Sequence, residues 1–136
     1  MSELDTTKSK SDSLSVWLEI GKNEDNSNDY RTKNLQKAFN ALLFSNDSLR
    51  TKKMLKIIDD YYSLKEFELF SNANEKVYEI AVKEKDSQSI AEYHWNKGMF
   101  LEDRNVLDSS YYYYNEARFF YDKIGYEYYM AKMQFN

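Results

Sequence analysis

Residues 85–125 read KDSQSIAEYHWNKGMFLEDRNVLDSSYYYYNEARFFYDKIG, and their apolar spacing predicts two helices joined by a short turn. At about 100° per residue, the second helix gathers its apolar and small residues into one stripe roughly 140° wide. Such a stripe is wider than a coiled-coil seam, so we expect this helix to be held between neighbours. Its members are Val106, Leu107, Ser110, Tyr113, Tyr114, Ala117, Phe120, Tyr121 and Ile124.

Gly98 lies inside the first of these two helices. Glycine costs about 1 kcal/mol relative to alanine in a helix interior. We therefore expect a second helix to pass close to its backbone, the alternative being that the glycine is incidental.

A repeat at a fixed interval extends this helical hairpin over the chain. Asp47-Ser48 recurs as Asp86-Ser87, and Gly125 follows at the same interval, which gives a period of 39. A repeat at a fixed period indicates stacked units that cannot bury their apolar faces alone. The sequence predicts hairpins at about 12–46, 47–85 and 86–125, and a partial helix at 126–136, after a disordered polar tail at 1–11.

The spacing from Gly98 to Leu101, and the pattern Ser110-x-x-x-Tyr114-x-x-Ala117, resemble the tetratricopeptide repeat (TPR) signature. The helix starts NDSLR and KDSQS, the string DSSYYYYNEA and the period near 39 more narrowly resemble the repeat regions of Bacteroidetes sensor histidine kinases and transcriptional regulators. This resemblance covers residues 12–136, and Asp122 stands where the family usually has proline. It implies an all-α fold, a right-handed α-α superhelix of about three hairpins plus a truncated final helix.

Composition supports the helical class and restricts the function. The chain has no proline and three glycines among 136 residues, which fits continuous helix better than strands and turns. It has no cysteine, which excludes disulfides, zinc-thiolate sites and thiol nucleophiles. A net charge of −4 argues against nucleic-acid binding, and no run approaches the ~18 apolar residues of a membrane span, so we expect no membrane contact.

Each predicted helix has an apolar set expected to face the core. For the first hairpin these residues are Trp17, Leu35, Ala38, Phe39 and Leu42. For the second hairpin they are Met54, Leu55, Ile58, Tyr61, Tyr62, Phe67, Phe70, Ala73, Val77, Tyr78, Ile80 and Ala81.

We expect Gly125 to end the sixth helix in a left-handed conformation and a seventh helix to begin at Tyr126. The seventh helix leaves apolar surface without a later partner, at Tyr126, Tyr129, Met130, Met133 and Phe135. We interpret the chain as a fragment of a longer array, in which either an eighth helix or a second copy, in a homodimer, covers this surface.

No catalytic residue, metal site or cofactor is predicted. His94 is the only histidine, so no serine has its own His–acid set, and we expect it to be partly buried near Tyr93. The pairs Asp59-Asp60 and Glu102-Asp103 are adjacent in sequence, and adjacent helical residues point about 100° apart. Such carboxylates do not converge on one atom, so we expect a protein that is not an enzyme.

The run Tyr111 to Tyr114 has two interpretations. Tyr112 and Phe119, seven positions apart, mark a second apolar face. We expect the helix to be sandwiched between its partner and the helix from Tyr126, the alternative being an exposed aromatic ladder that binds a partner.

The TPR resemblance implies a groove lined by the first helix of each hairpin, in which a protein or peptide segment binds. Trp95 and Met99 stand where the family's carboxylate-binding pockets have basic residues or asparagine. This favours an apolar or aromatic ligand segment, unless Trp95 packs between hairpins. The implied groove residues are Lys53, Lys56, Ile57, Asp60, Glu92, Trp95, Asn96, Met99 and Glu102.

The resulting hypothesis is a non-enzymatic protein- or peptide-binding domain, the sensory or regulatory part of a larger bacterial signalling protein. The alternatives are a scaffold or adaptor without signalling output and a helical repeat protein that regulates a phosphorelay. The compartment stays open: periplasmic for an exported sensor domain, otherwise cytoplasmic.

Overall fold

The computed structural model describes residues 3–134, with side chains at 12–128 and 130–133. This part of the chain is all-α, without a strand, which confirms the all-α part of the predicted fold class. The helices are α1 Glu3–Lys22, α2 Asn28–Leu43, α3 Arg50–Ser63, α4 Phe67–Glu84, α5 Ser87–Asp103 and α6 Leu107–Gln134.

Helix starts depend on local capping. Ser27 caps α2 by accepting a hydrogen bond from the Tyr30 N–H at 3.3 Å. Asp86 caps α5 by accepting the Ser89 N–H at 3.2 Å, as the repeated Asp-Ser pair leads one to expect. Asp47 accepts the Leu49 N–H at 2.9 Å, before α3 begins, and forms an ion pair with Lys53 at 2.5 Å. The two Asp-Ser pairs therefore differ in role.

The N-terminal segment differs from the prediction. Helix α1 begins at Glu3 and so includes most of the predicted polar tail at 1–11, while Met1 and Ser2 lie outside the described residues. Residues 3–12 contain neither proline nor glycine. Their polar side chains lower helix propensity by only tenths of a kcal/mol each, roughly, so the helix is not interrupted there.

Three helices end in the same turn. Lys65, Lys85 and Asn105 have φ values of 61°, 54° and 63°, and they follow one another at equal intervals along the chain. In each turn, the N–H of the following residue donates a hydrogen bond of 2.9 Å to the carbonyl five residues before it. This is the hydrogen bond of the Schellman motif. The donor–acceptor pairs are Glu66 to Tyr61, Asp86 to Ala81 and Val106 to Leu101. The equivalent turns at Lys65 and Asn105 are thus one position further apart than the predicted period.

The predicted seventh helix is absent from the described residues, because α6 runs without a break from Leu107 to Gln134. Gly125 lies inside this helix and has no positive φ. One glycine costs a helix only about 1 kcal/mol, and no proline follows it to stop the helix. The prediction that Gly125 is a left-handed cap is therefore wrong.

The chain divides into two compact units, one ending at Phe70 and the other beginning at Ser71. In the first unit α2 packs against both α1 and α3. Gly21 allows α1 to approach α2, because a Cβ there would overlap the Leu35 side chain. Trp17 is only half-buried. The buried apolar residues are Leu35, Ala38, Phe39, Leu42, Met54, Leu55, Ile57, Ile58, Tyr61 and Phe70.

In the second unit, Gly98 allows α5 to approach α6 closely, as Gly21 allows α1 to approach α2. A Cβ on Gly98 would lie 2.8 Å from Cδ1 of Tyr114, and the Ser110 hydroxyl donates to the Gly98 carbonyl at 2.8 Å. This confirms the close approach predicted from sequence. The buried apolar residues are Ala73, Val77, Ala81, Ile90, Ala91, Tyr93 and Ala117.

Candidate functional site

An open groove of about 420 Å³ lies between α5 and α6 of the second unit. One wall is Trp95 of α5. The other wall comes from α6 residues spaced so that they share one helical face. The lining residues are Trp95, Tyr111, Tyr114, Asn115, Arg118 and Tyr121.

The groove is open because its aromatic side chains extend beyond the α5–α6 contact. Trp95 is 49% exposed, Tyr111 70% and Tyr121 43%. Tyr114 is half-buried at the base, where its ring centroid lies 4.7 Å from that of Trp95. The groove therefore offers aromatic surface to a partner while its base is fixed by packing.

Burial and nearby carboxylates raise the pKa of two groove tyrosines, Tyr114 and Tyr121. The Tyr114 hydroxyl donates to Oε2 of Glu102 at 2.5 Å, and burial together with this carboxylate raises the pKa of Tyr114 to about 12. Burial, and then the charge of Glu92, raises the pKa of Tyr121. Both phenols remain hydrogen-bond donors at neutral pH.

Arg118 is the cation of the groove. It is exposed, and among the described residues it makes neither a hydrogen bond nor an ion pair. An arginine always carries its charge and can stack on aromatic rings or bind carboxylates. The groove thus combines aromatic walls with one guanidinium that is available to a ligand.

The exposure of the tyrosine run agrees with an aromatic ladder and not with the predicted sandwich. Tyr113 and Tyr114, which were predicted for the buried stripe, are half-buried, whereas Tyr112 is 58% exposed and Phe119 62%. The predicted sandwich is wrong because, within the described residues, no separate helix from Tyr126 folds back over this face. Three members of the predicted buried stripe are also exposed, namely Val106, Leu107 and Tyr121.

The nine residues predicted for the groove divide between the two units. In the first unit Lys56 is exposed, Lys53 is half-buried and Ile57 is only 1% exposed. In the second unit Glu102 is exposed with Trp95, Glu92 and Met99 are half-buried, and Asn96 is 6% exposed. Ile57 and Asn96 therefore offer no side-chain surface to a partner, and this part of the prediction is corrected.

Asp60, on α3, is affected in opposite directions by its burial and by nearby cations. It is partly buried, and its Oδ2 has no hydrogen-bond partner among the described residues. Burial raises its pKa, while Lys56, Arg31 and Lys22 act in the opposite direction. The carboxylate is placed near cations of its own unit, without forming a close ion pair.

His94 lies beside Tyr93 as predicted, but it is buried in the core rather than partly buried. It is 8% exposed, and its ring lies 5.0 Å from Tyr93, 6.0 Å from Tyr113 and 5.7 Å from Phe120, centroid to centroid. Burial lowers its pKa. Within the described residues no three His, Asp or Glu side chains come together as metal ligands.

A polar network joins α4 to α5 and was not predicted. Asn74 donates to the Tyr93 carbonyl at 3.2 Å and accepts from Asn96 at 3.2 Å. The Tyr93 hydroxyl donates to Glu75 at 2.9 Å, and Lys97 donates to the same carboxylate at 2.9 Å. Buried asparagines have no apolar periodicity, so pattern reading assigns them to the surface.

The predicted groove list was drawn from first helices only, so it missed five of the six groove residues. Tyr114 and Tyr121 had been assigned to the buried stripe, and the other three are Tyr111, Asn115 and Arg118. The spacing of Tyr111, Asn115 and Arg118, four and then three positions, indicates one shared helical face and could have identified them.

No protein-family model, curated protein or solved structure matches this chain significantly. None of the helices that the structure describes is long and apolar enough to cross a membrane.

Proposed function

We propose that this chain is a non-enzymatic protein- or peptide-binding domain of TPR-like architecture, with its helix pairs arranged as a right-handed superhelix. In this proposal it is the sensory or regulatory part of a larger bacterial signalling protein. The observation that carries the binding role is the open groove of Trp95, Tyr114, Tyr121 and Arg118. The three turns of like conformation, evenly spaced along the chain, support the repeat architecture.

The chemistry of the groove suits recognition. Trp, Tyr and Arg are enriched among the few clustered residues that carry most of the binding energy at protein interfaces. Tyrosine and tryptophan offer large contact areas while losing few rotatable bonds. A bound segment would contact four aromatic rings and one guanidinium within about 420 Å³.

The proposal is tested by selecting displayed peptides against the intact chain and measuring their affinities by fluorescence anisotropy. Peptides that bind the groove should lose at least about tenfold in affinity to the Tyr121→Ala protein, as expected for an interface aromatic. They should bind the Tyr30→Ala protein normally, because Tyr30 is 50% exposed but lies in the first unit. Peptides that bind Tyr121→Ala as well as the unmodified chain would contradict the proposal.

A second partner surface is proposed on α6, with a second copy of the chain as its occupant. Four large side chains recur there at every seventh position and are 58, 62, 65 and 64% exposed. In order they are Tyr112, Phe119, Tyr126 and Met133. Successive side chains at this spacing are offset by only about 20° around the helix, so the four form one stripe.

Charges flanking this stripe favour pairing with itself. Asp122 and Lys123 lie on opposite sides of it, since successive residues are about 100° apart. A parallel two-fold pair of α6 helices would bring Lys123 of each copy to Asp122 of the other. Sedimentation equilibrium should show a concentration-dependent dimer that Phe119→Ser abolishes, and a strict monomer at high concentration would contradict this assignment.

A further inference from the structure

The groove on α6 has a counterpart on α4. Helices α4 and α6 begin at Phe67 and Leu107, after turns of the same conformation. A residue of α6 is therefore equivalent to the α4 residue that precedes it in sequence by the same number of positions as Phe67 precedes Leu107. The groove residues Tyr114, Asn115, Arg118 and Tyr121 correspond to Asn74, Glu75, Tyr78 and Ala81.

On α4 this surface is covered by a helix. The ring of Tyr93 in α5 stacks on Tyr78 with centroids 4.3 Å apart, and its hydroxyl donates to Glu75 at 2.9 Å. Asn74 donates to the Tyr93 carbonyl at 3.2 Å. Three of these positions of α4 thus contact one tyrosine of α5.

Three of the four counterparts on α6 are exposed, namely Asn115, Arg118 and Tyr121. Ala81 is 0% exposed, whereas its counterpart Tyr121 is 43% exposed. Leu55, the counterpart of Trp95 on the preceding first helix, is 6% exposed, whereas Trp95 is 49% exposed. Within the described residues, this face is therefore covered by α5 on helix α4 and is left uncovered on helix α6.

We infer that the groove binds an amphipathic α-helix of a partner protein, which presents a tyrosine where α5 presents Tyr93 to α4. The inference rests on the proposed binding function and specifies its ligand as a helix rather than an extended peptide. The contact between α4 and α5 is its precedent.

Two of the α6 residues, Arg118 and Asn115, differ from their α4 counterparts and are chemically complementary to such a tyrosine. Arg118 stands where Tyr78 stacks, and a guanidinium binds the face of an aromatic ring by a cation–π contact. Asn115 stands where Glu75 accepts the Tyr93 hydroxyl, and its side-chain oxygen can accept a phenol in the same way. A helix seated here would also give the charge of Arg118 a partner.

The test uses the full chain and two display libraries of equal length. In one, four positions of a single face are randomised on an alanine-, glutamate- and lysine-rich helical scaffold; in the other, the same positions are randomised around a central proline, which prevents helix formation. Affinities are measured by fluorescence anisotropy and ligand helicity by circular dichroism. We expect ligands from the helical library, with an aromatic residue fixed at one position.

Two arginine variants locate the contact. Arg118→Ala should weaken these ligands roughly tenfold, the size expected for a desolvated cation–π contact, and replacing the ligand's aromatic residue by alanine should remove that difference. Arg104→Ala is the matched control and should leave affinity unchanged, since its guanidinium lies over Phe100 outside the groove. Both arginines are exposed, so both variants should fold.

Other outcomes separate the inference from the proposed function. Proline-containing ligands that respond to Tyr121→Ala would overturn the helical ligand and leave peptide binding intact. The absence of groove ligands from both libraries would contradict both. Self-association that Arg118→Ala abolishes and Phe119→Ser does not would identify a second copy as the occupant and overturn the assignment to a partner protein.

Discussion

Two glycines of this chain differ in what surrounds them, although both lie inside helices. Gly98 faces the Tyr114 ring at a distance that leaves no room for a methyl group, whereas nothing lies within 4 Å of a Cβ placed on Gly125. Sequence reasoning treated the first correctly, as a close approach between helices. It misread the second as a helix end, because glycine alone does not distinguish a cap from a tolerated interior position.

These two sites give a matched pair of substitutions. Gly98→Ala should lower the free energy of unfolding by about 1–2 kcal/mol, since overpacking outweighs the gain in helix propensity. Gly125→Ala should raise it by up to about 1 kcal/mol, because only the propensity changes. Urea denaturation followed by circular dichroism measures both, and changes of the same sign would contradict the account.

His94 should make stability depend on pH. Burial among aromatic rings lowers its pKa below the ordinary 6.5, so the unfolded chain takes up a proton at a higher pH than the folded chain does. Its contribution is complete above about pH 6.5 and is lost as the pH falls below that value. Glu116 and Glu75 oppose this shift, and Lys97 reinforces it.

The expected result is a free energy of unfolding that decreases between pH 7.5 and pH 5.5. His94→Gln should flatten this dependence, because glutamine does not titrate. Urea denaturation at a series of pH values makes the comparison. An equally steep decrease in both proteins would show that His94 is not its source.

At the scale of the helix, the turns explain what was readable and what was not. Hairpin boundaries were predictable from Asp-Ser pairs and apolar periodicity, and the tight turn at residues 64–66 was identified. The left-handed positions were not predictable, because Lys65, Lys85 and Asn105 replace the glycine usually found there. The two lysines adopt a conformation that their side chains disfavour, whereas asparagine tolerates it.

Replacing one such residue by glycine should therefore stabilise the chain. Lys85 has a φ of 54° and is exposed, so Lys85→Gly should raise the free energy of unfolding by about 1 kcal/mol. Glu79→Gly, in the middle of the same helix, should lower it by a similar amount. Thermal and urea denaturation provide the measurement, and a destabilised Lys85→Gly protein would contradict the assigned turn.

Helix α6 shows the limit of pattern reading for the binding site. Its small residues Ser110 and Ala117 were correctly assigned to the buried face, where they are 3% and 0% exposed. The rings beside them were assigned to the core, because a wide apolar stripe reads the same whether or not a neighbour covers it. Whether these rings are covered depends on a further helix packing against α6, which a local sequence pattern does not show.

For the whole molecule, composition alone predicted the all-α class, since a proline-free chain with three glycines has few residues for a strand-rich fold. The site could be predicted only in part. Trp95 was named from the sequence and lines the groove with 49% of its surface exposed, while Arg118 was missed because its helix was assigned to packing. The functional proposal therefore rests on open surface, above all the accessibility of Trp95.

The most direct test is acrylamide quenching of Trp95 fluorescence in the Trp17→Phe protein, where Trp95 is the remaining tryptophan. A ring that is 49% exposed should be quenched readily in the free protein, and a groove ligand should protect it. A Trp95 that is fully shielded in the free, monomeric protein would contradict the open groove and the binding function proposed for it.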